Sequence, residues 1–282
     1  MKNNIEKISN AVVYAGSTFR EGLKQKYREA IEKETNSNAK WVLETILENA
    51  EVAEKSGTPL CDDTGIPHLV LEMGKNRQVD GELIETIYEG IRQGLRLLPG
   101  RPMNIIGNDV ERIEQSGVLD TDPAGVVPAP IMFIPSDNPD LLRLHILLLG
   151  GGPAIRGKTY RIYHKNSIDT VLNEIVSWGS EGVGLLGCSP CTLAIGIGRS
   201  HYEATALMMQ AQIYGRYEIQ SSLEQKITDL VNKSKVGPLG LGGNHSVLAT
   251  FLRVGPQRAS GVRIVSVSPC CSIEPRIASV DL

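Results

Sequence analysis

Aromatic side chains make up only 5% of the 282 residues, too few for the stacking platforms of single-stranded nucleic-acid binders. Charge of one sign is also missing. Lys and Arg number 29 against 32 Asp and Glu, a net charge of −3, and the two signs are interspersed. That leaves no basic footprint for nucleic acid or an anionic membrane. Long apolar runs are absent as well. The longest, LLRLHILLLG, carries Arg143 and His145 and reads as a buried strand rather than a membrane span. The opening MKNNIEKISNAVVYAG has no extended apolar core of a secretory signal. Cysteine is sparse and odd in number, five in all. Without a signal, that count argues for a reducing cytoplasm and against a disulfide framework.

What is present is a mixed pattern. Ile5 to Glu32 carries apolar residues at helical spacing (Val12, Val13, Phe19, Leu23, Tyr27, Ile31), and the ETNSN run breaks it. Asn38 is expected to cap a second helix ending near Ser56-Gly57. A third is expected from Gly81 to Leu98, stopped by Pro99-Gly100. Ala129–Ile134, Leu142–Leu149, Thr192–Ile197, Val247–Val254 and Val262–Val267 read as strands, with another over Arg276–Leu282. Further helices are expected over Ile168–Trp178, Ser200–Tyr214 and Ser221–Lys233. No repeat or low-complexity linker interrupts the chain. The sum is an α/β (α+β) chain, one unit over residues 1–282, with a helical N-terminal lobe over about the first hundred residues.

The five cysteines stand at three separated breaks in pattern: PLCDDTGIP, LLGCSPCTLAIGIG and VSPCCSIEP. Thiolates on three loops can converge on one soft metal centre. Three ligands on a cubane iron–sulfur cluster leave one iron without a protein ligand, free to act as a Lewis acid. Buried cysteines are equally at home as small hydrophobes. Cys188-Ser189-Pro190-Cys191 has the CxxC spacing of half a zinc site or a redox dithiol, but no second CxxC follows. Adjacent Cys270 and Cys271 cannot easily chelate one ion together, so one ligand per loop is the simpler arrangement.

Other loops carry candidates of their own. Asp63 follows Cys61 by two residues and suits either an acid/base role or an ordinary Asx turn. Gly196-Ile197-Gly198-Arg199-Ser200 lacks the third glycine of a dinucleotide loop and a Walker lysine. Pro238 to Ser246 (PLGLGGNHS) is a flexible polar loop suited to backbone approach to a ligand, or a plain connection. Arg101 could clamp a carboxylate or stand in solvent. His68, His145, His164 and His201 gain no role from their positions.

Taken in order, these loops resemble the alpha region of the iron–sulfur hydro-lyases, the class I fumarases and L-tartrate dehydratases. CDDTGIP is similar to that family's C-Q-D-T-G, LRLLPGRPMN to its R-P-N segment, and LLLGGGPAIRGK to its G-G-G-S-E-N. GCSPCTLAIGIG resembles C-P-P followed by G-x-G-G. GPLGLGGNHSVLATF resembles G-x-G-L-G-G-x-T-T-A-L, and VSVSPCCSIEPRIASV resembles V-S-C-W-A-x-R-R-A. The likeness spans nearly the whole chain, 1–282, as one hydro-lyase alpha domain.

The resemblance implies a [4Fe–4S] cluster held by Cys61, Cys188 and Cys271, with Cys270 the alternative third ligand. It implies Asp63 as the catalytic acidic residue, and Asp62, Arg101, Gly151, Gly152 and His245 at the substrate. It further implies reversible hydration or dehydration of a small dicarboxylic hydroxy acid, of fumarate/malate or tartrate type. The family's beta region does not follow Leu282, so an oligomer with a separate beta subunit is expected. There are departures. Asp62 replaces a glutamine, Pro153-Ala154-Ile155 replaces S-E-N, Asn244-His245-Ser246 replaces x-T-T, and Gln257-Arg258-Ala259-Ser260 stands where a family histidine precedes the last cysteine loop. They leave open a second reading, a non-catalytic iron–sulfur or zinc-binding redox protein derived from this family.

Overall fold

The computed structural model describes residues 2–101 and 103–282. Its helices are α1 (Lys2–Ser17), α2 (Glu21–Lys33), α3 (Ser37–Ser56), α4 (Gly81–Leu97), α5 (Asp109–Glu114), α6 (Gly151–Arg156), α7 (Ile168–Leu186), α8 (His201–Tyr214) and α9 (Ser222–Asn232). Its strands are β1 (Ile66–Met73), β2 (Asn104–Ile106), β3 (Val118–Asp120), β4 (Met132–Pro135) and β5 (Leu142–Leu149), then β6 (Lys158–Tyr163), β7 (Cys191–Gly198), β8 (Val247–Val254), β9 (Val262–Cys270) and β10 (Arg276–Asp281). The expected α/β class holds. No helix among the described residues is long and apolar enough to cross a membrane.

The chain divides into two compact units, each discontinuous in sequence. Unit 1 takes the chain to Thr18, then Ala50–Gly151 and Arg276–Leu282; unit 2 takes Phe19–Asn49 and Gly152–Pro275. In unit 1 the strands run β10-β5-β1-β4. β5 is antiparallel to both of its neighbours, and β4 lies parallel to β1. One face of this sheet buries Leu69, Leu71, Leu144, Ile146 and Leu148 against Ile8 and Val12 of α1 and Ile87, Ile91 and Leu95 of α4. The two helices close up because α4 offers glycine where they meet. A Cβ on Gly90 would lie 2.7 Å from Ile8 Cβ, and one on Gly94 would lie 2.5 Å from Val12 Cβ and 2.8 Å from the Ser9 carbonyl.

Unit 2 is built on β6-β9-β7-β8. Every residue of β7 is buried, which is why its sequence is a continuous apolar run instead of an alternation. Leu193 and Ile195 of β7 pack with Ile175 and Val183 of α7, Ile227 and Val231 of α9, and Val265 and Val267 of β9.

Several sequence expectations are corrected. The helix expected over Ile5–Glu32 is two, parted at Thr18-Phe19-Arg20. Arg20 is extended, and its guanidinium donates to the carbonyls of Gln212 (3.2 Å) and Gly215 (2.5 Å), a pull that no local periodicity records. The helix expected to start at Asn38, α3, is capped by Asn36 instead: Asn36 Oδ1 accepts from the backbone nitrogens of Asn38 (3.0 Å) and Ala39 (3.2 Å). α7 continues past Trp178 to Leu186, and β9 runs beyond Val267 to Cys270. Strand β1 was not anticipated, because Pro67, His68 and Glu72 interrupt its apolar pattern.

The α1–α4 contact gives a test of this packing. Gly94→Ala drives a methyl into the Ser9 carbonyl and Val12, so it should lower the unfolding free energy by about 1–3 kcal/mol, read from urea denaturation of the purified chain.

Candidate functional site

In unit 1 the candidates gather on the loop between α3 and β1. Gly65 makes this loop possible. Its φ is +78°, and a Cβ there would lie 2.7 Å from Arg276 Nη2 and 2.9 Å from the backbone of Leu148 and Leu149. Asp63 is held on both carboxylate oxygens. Oδ1 accepts from the Gly65 nitrogen at 3.0 Å, while Oδ2 accepts from the Gly151 nitrogen at 3.1 Å and from Arg101 Nη2 at 3.4 Å. Arg101 is exposed and its own backbone nitrogen donates to the Asp62 carbonyl at 2.8 Å. The Arg101 side chain is more than half exposed and meets the carboxylate at 3.4 Å through one nitrogen only, so the guanidinium stays available to a ligand. Asp62 Oδ1 accepts from the Asp63 nitrogen (2.9 Å) and from Cys61 Sγ (3.4 Å).

Beneath the loop lies a residue that no local motif marks. Arg276, 2% exposed, donates from Nη1 to the Asp63 carbonyl at 2.7 Å. The structure thus brings together Cys61, Asp62, Asp63, Arg101, Gly151 and Arg276. Burial pushes the Cys61 thiol up; the Asp63 N–H and the Arg276 charge pull it back down, while Asp62 adds to the rise.

Unit 2 holds the other four cysteines. Cys191 opens β7 and Cys270 closes β9, and both are buried. Burial drives both thiols far above their ordinary range, so they sit as neutral core groups. Cys188, by contrast, is exposed, and Cys271 is half-buried. The Ser272 nitrogen donates to the Cys188 carbonyl at 2.9 Å, which ties the two cysteine loops together. Buried Tyr27 then fixes the second of them by donating its hydroxyl to the Ser272 carbonyl at 2.8 Å.

The loop from Gly237 to Ser246 is stitched to the same place. Leu239 N donates to Ser189 O (2.9 Å), Ser189 Oγ to Gly237 O (2.6 Å), and Cys191 N to Ser246 O (3.0 Å). His245 on this loop does not stand alone. Its Nδ1 lies 2.8 Å from Oε2 of Glu34, a carboxylate with no exposed side-chain surface. Glu34 also accepts from the backbone nitrogens of Thr35 (2.9 Å), Asn36 (3.0 Å) and Asn244 (2.8 Å). Burial pushes its carboxyl up, but these bonds outweigh it, and the net shift is downward from the ordinary 4.5. No local motif marks Glu34, since Asn244 and His245, which tie it to the glycine loop, lie some two hundred positions away. Gly152 opens the second segment of unit 2, and nothing would touch a Cβ placed on it.

Among the described residues, no three His, Cys, Asp or Glu side chains are grouped so as to hold a metal ion. The fit to a soft metal group therefore rests on donor chemistry. Cys61, Cys188 and Cys271 present accessible or half-buried thiols, the soft ligands that such a group selects, whereas Cys191 and Cys270 are sealed in the core.

The model of the family described as "Fumarate hydratase (Fumerase)" matches residues 5–280. Two curated relatives illustrate the likeness. A Methanocaldococcus jannaschii protein named "Putative L(+)-tartrate dehydratase subunit alpha" is 27% identical over 261 residues, covering 88% of each chain. The "L(+)-tartrate dehydratase subunit alpha" of Escherichia coli (strain K12) is 22% identical over 270 residues, covering 94% of this chain and 86% of its own.

Two measurements follow from this geometry. In the native metal-free chain, Cys188, Cys61 and Cys271 should react with a thiol reagent, Cys188 fastest, while Cys191 and Cys270 should react only on unfolding; labelling followed by peptide mass spectrometry reads this directly. Glu34 has a depressed carboxyl, so its stabilisation is present above about pH 4.5 and is lost as pH falls through its folded value. The stability gap between the native chain and Glu34→Gln in urea should therefore be widest near neutrality and narrow on acidification.

Proposed function

Because the chain belongs to the fumarate hydratase (fumerase) family and is therefore a hydro-lyase, a carbon–oxygen lyase, we propose that it is the alpha subunit of a [4Fe–4S]-dependent enzyme. Its substrate would be a small dicarboxylic hydroxy acid of fumarate/malate or tartrate type, and its partner a separate beta subunit. The observation that carries the reading is the family match over residues 5–280, together with thiols left accessible at the three positions where the family's cysteine loops fall. The relatives' designation as alpha subunits supports the beta partner, and their substrate names support a hydroxy diacid. The working enzyme would then be an oligomer in the cytoplasm.

Cys61, Cys188 and Cys271 are the proposed thiolate ligands. Exposure favours Cys188 over Cys191, and burial disfavours Cys270 against Cys271. When bound, such a cluster supplies an iron without a protein ligand, a Lewis acid for the substrate's hydroxyl oxygen. The remaining work falls to this chain's own groups. Arg101 offers a forked guanidinium to a substrate carboxylate. Asp63 is the proposed acid/base or orienting group, held by three hydrogen bonds so that it keeps one position. Asp62 lines the same loop, and the Gly151 N–H contributes by fixing Asp63. Gly152, whose Cβ position is open, and His245 of the second glycine loop are the further proposed substrate contacts.

Co-expression with a beta chain, anaerobic reconstitution with iron and sulfide, and assay on fumarate, malate and tartrate test the reading. Cys61→Ser, Cys188→Ser and Cys271→Ser should each lose bound iron, while Cys191→Ser keeps it. Asp63→Asn should retain iron and lose about 10²–10⁴ in turnover. No turnover of any hydroxy acid by the reconstituted pair, or iron lost from Cys191→Ser and kept by Cys188→Ser, would overturn it.

A further inference from the structure

The least expected group in unit 2 is the buried carboxylate of Glu34. A carboxylate with no exposed surface is tolerated only when its oxygens are fully engaged. Here Oε1 takes the N–H groups of Thr35 and Asn36, and Oε2 takes that of Asn244 and the ring of His245. Gly243, with φ +120°, lets the loop come this close, since a Cβ there would lie 3.0 Å from Glu34 Oε2. An ionised carboxylate only accepts hydrogen bonds, so the ring proton facing it must sit on Nδ1. His245 Nε2 has no hydrogen-bond partner among the described residues, and the side chain keeps 18% of its surface exposed. The loop carrying it is bonded to the Cys188–Cys191 turn through Ser246 O and Leu239 N. The other charged group tied to the loop is Lys235, whose Nζ donates to Asn244 Oδ1 at 2.6 Å.

We propose that Glu34 is a positioning residue for the hydro-lyase reaction: it fixes the His245 proton on Nδ1 and so makes Nε2 the one nitrogen that exchanges a proton with the substrate's hydroxyl. The proposal rests on the reading above that places His245 at the substrate. In dehydration the doubly protonated ring gives its Nε2 proton to the departing hydroxyl as the C–O bond breaks, and water leaves. The C–H electrons on the adjacent carbon become the new double bond, and that carbon's proton passes to a base that the proposed beta subunit would supply. The ring is left neutral, its Nδ1–H still donated to Glu34. In hydration the same nitrogen accepts a proton from the attacking water. A carboxylate partner on the far nitrogen both orients an imidazole and stabilises its protonated form.

Structural support and proton handling make different predictions, and a double-variant cycle in the reconstituted alpha–beta enzyme separates them. Glu34→Gln should cut kcat by tenfold or more while KM moves less than about threefold, and should shift a limb of the pH profile of kcat/KM. Glu34→Asp should recover part of kcat. His245→Gln should fall at least as far as Glu34→Gln, and the double variant no further than His245→Gln alone, because groups acting as a unit are not additive. Independently of turnover, ¹⁵N spectra of histidine-labelled full-length chain should show His245 protonated on Nδ1, with the preference lost in Glu34→Gln. Glu34→Asp, the smaller change, carries the kinetic test should Glu34→Gln misfold. Multiplying losses in the double variant, an unchanged pH profile, or a native His245 protonated on Nε2 alone would overturn the proposal. A reconstituted native enzyme with no hydroxy-acid turnover would instead sink the functional reading, and the nitrogen spectra would still decide the Glu34–His245 pairing.

Discussion

A single buried guanidinium organises the loop on which unit 1's chemistry depends. Arg276 holds the Asp63 carbonyl from below, and the close fit of its Nη2 to Gly65 leaves no room for a side chain there. With the backbone pinned, the Asp63 carboxylate is free to gather N–H groups from Gly65 and Gly151 and the tip of Arg101. A hydrogen bond from a charged donor is stronger than a neutral one, and at the buried Arg276 guanidinium it is also less screened. Moving the arginine would therefore loosen the thiol, both aspartates and the glycine turn together.

Unit 2 solves the same problem with neutral donors. Its two cysteine turns and its glycine loop are joined by backbone bonds from Ser272, Leu239 and Cys191, with Ser189 and Tyr27 reaching in from the sides. Loops usually carry the chemistry because a rigid scaffold positions them, and here the scaffold is β7, whose two faces are both covered. Cys191 and Cys270 belong to that scaffold. As small hydrophobes at the ends of adjacent strands they pack and stay protonated, while their neighbours Cys188 and Cys271 remain within reach of solvent. One position along the chain thus separates the packing thiol from the accessible one at Cys270 and Cys271, and three positions do so at Cys191 and Cys188.

How much of this was legible depended on distance along the chain. β7 declared itself because a strand covered on both faces reads as an uninterrupted apolar run, while β5 and β8 stood out as apolar-rich stretches between breakers. The order of the loops was equally plain, and with it the family. β1 hid behind Pro67, His68 and Glu72, and the break between α1 and α2 was invisible because Arg20 answers to carbonyls near residue 215. The cap of α3 was misplaced by two residues, since Asn36 and Asn38 are chemically identical and only geometry separates them. In the site, Cys61, Asp63 and Arg101 could be nominated from local motifs. Arg276 and Glu34 could not, for each acts through a partner some two hundred positions away.

The path of the chain through its two units bears on how the protein is made. β10, the strand that flanks β5, comes from Arg276–Asp281, and the whole of unit 2 is encoded before it. A nascent polypeptide that has cleared the ribosome up to Pro275 can assemble the second unit while the first still shows β5 as a bare edge, open to pairing with any passing strand. Arg276 arrives with that same strand, so the thiol loop of the earlier unit is braced only after unit 2 has been made.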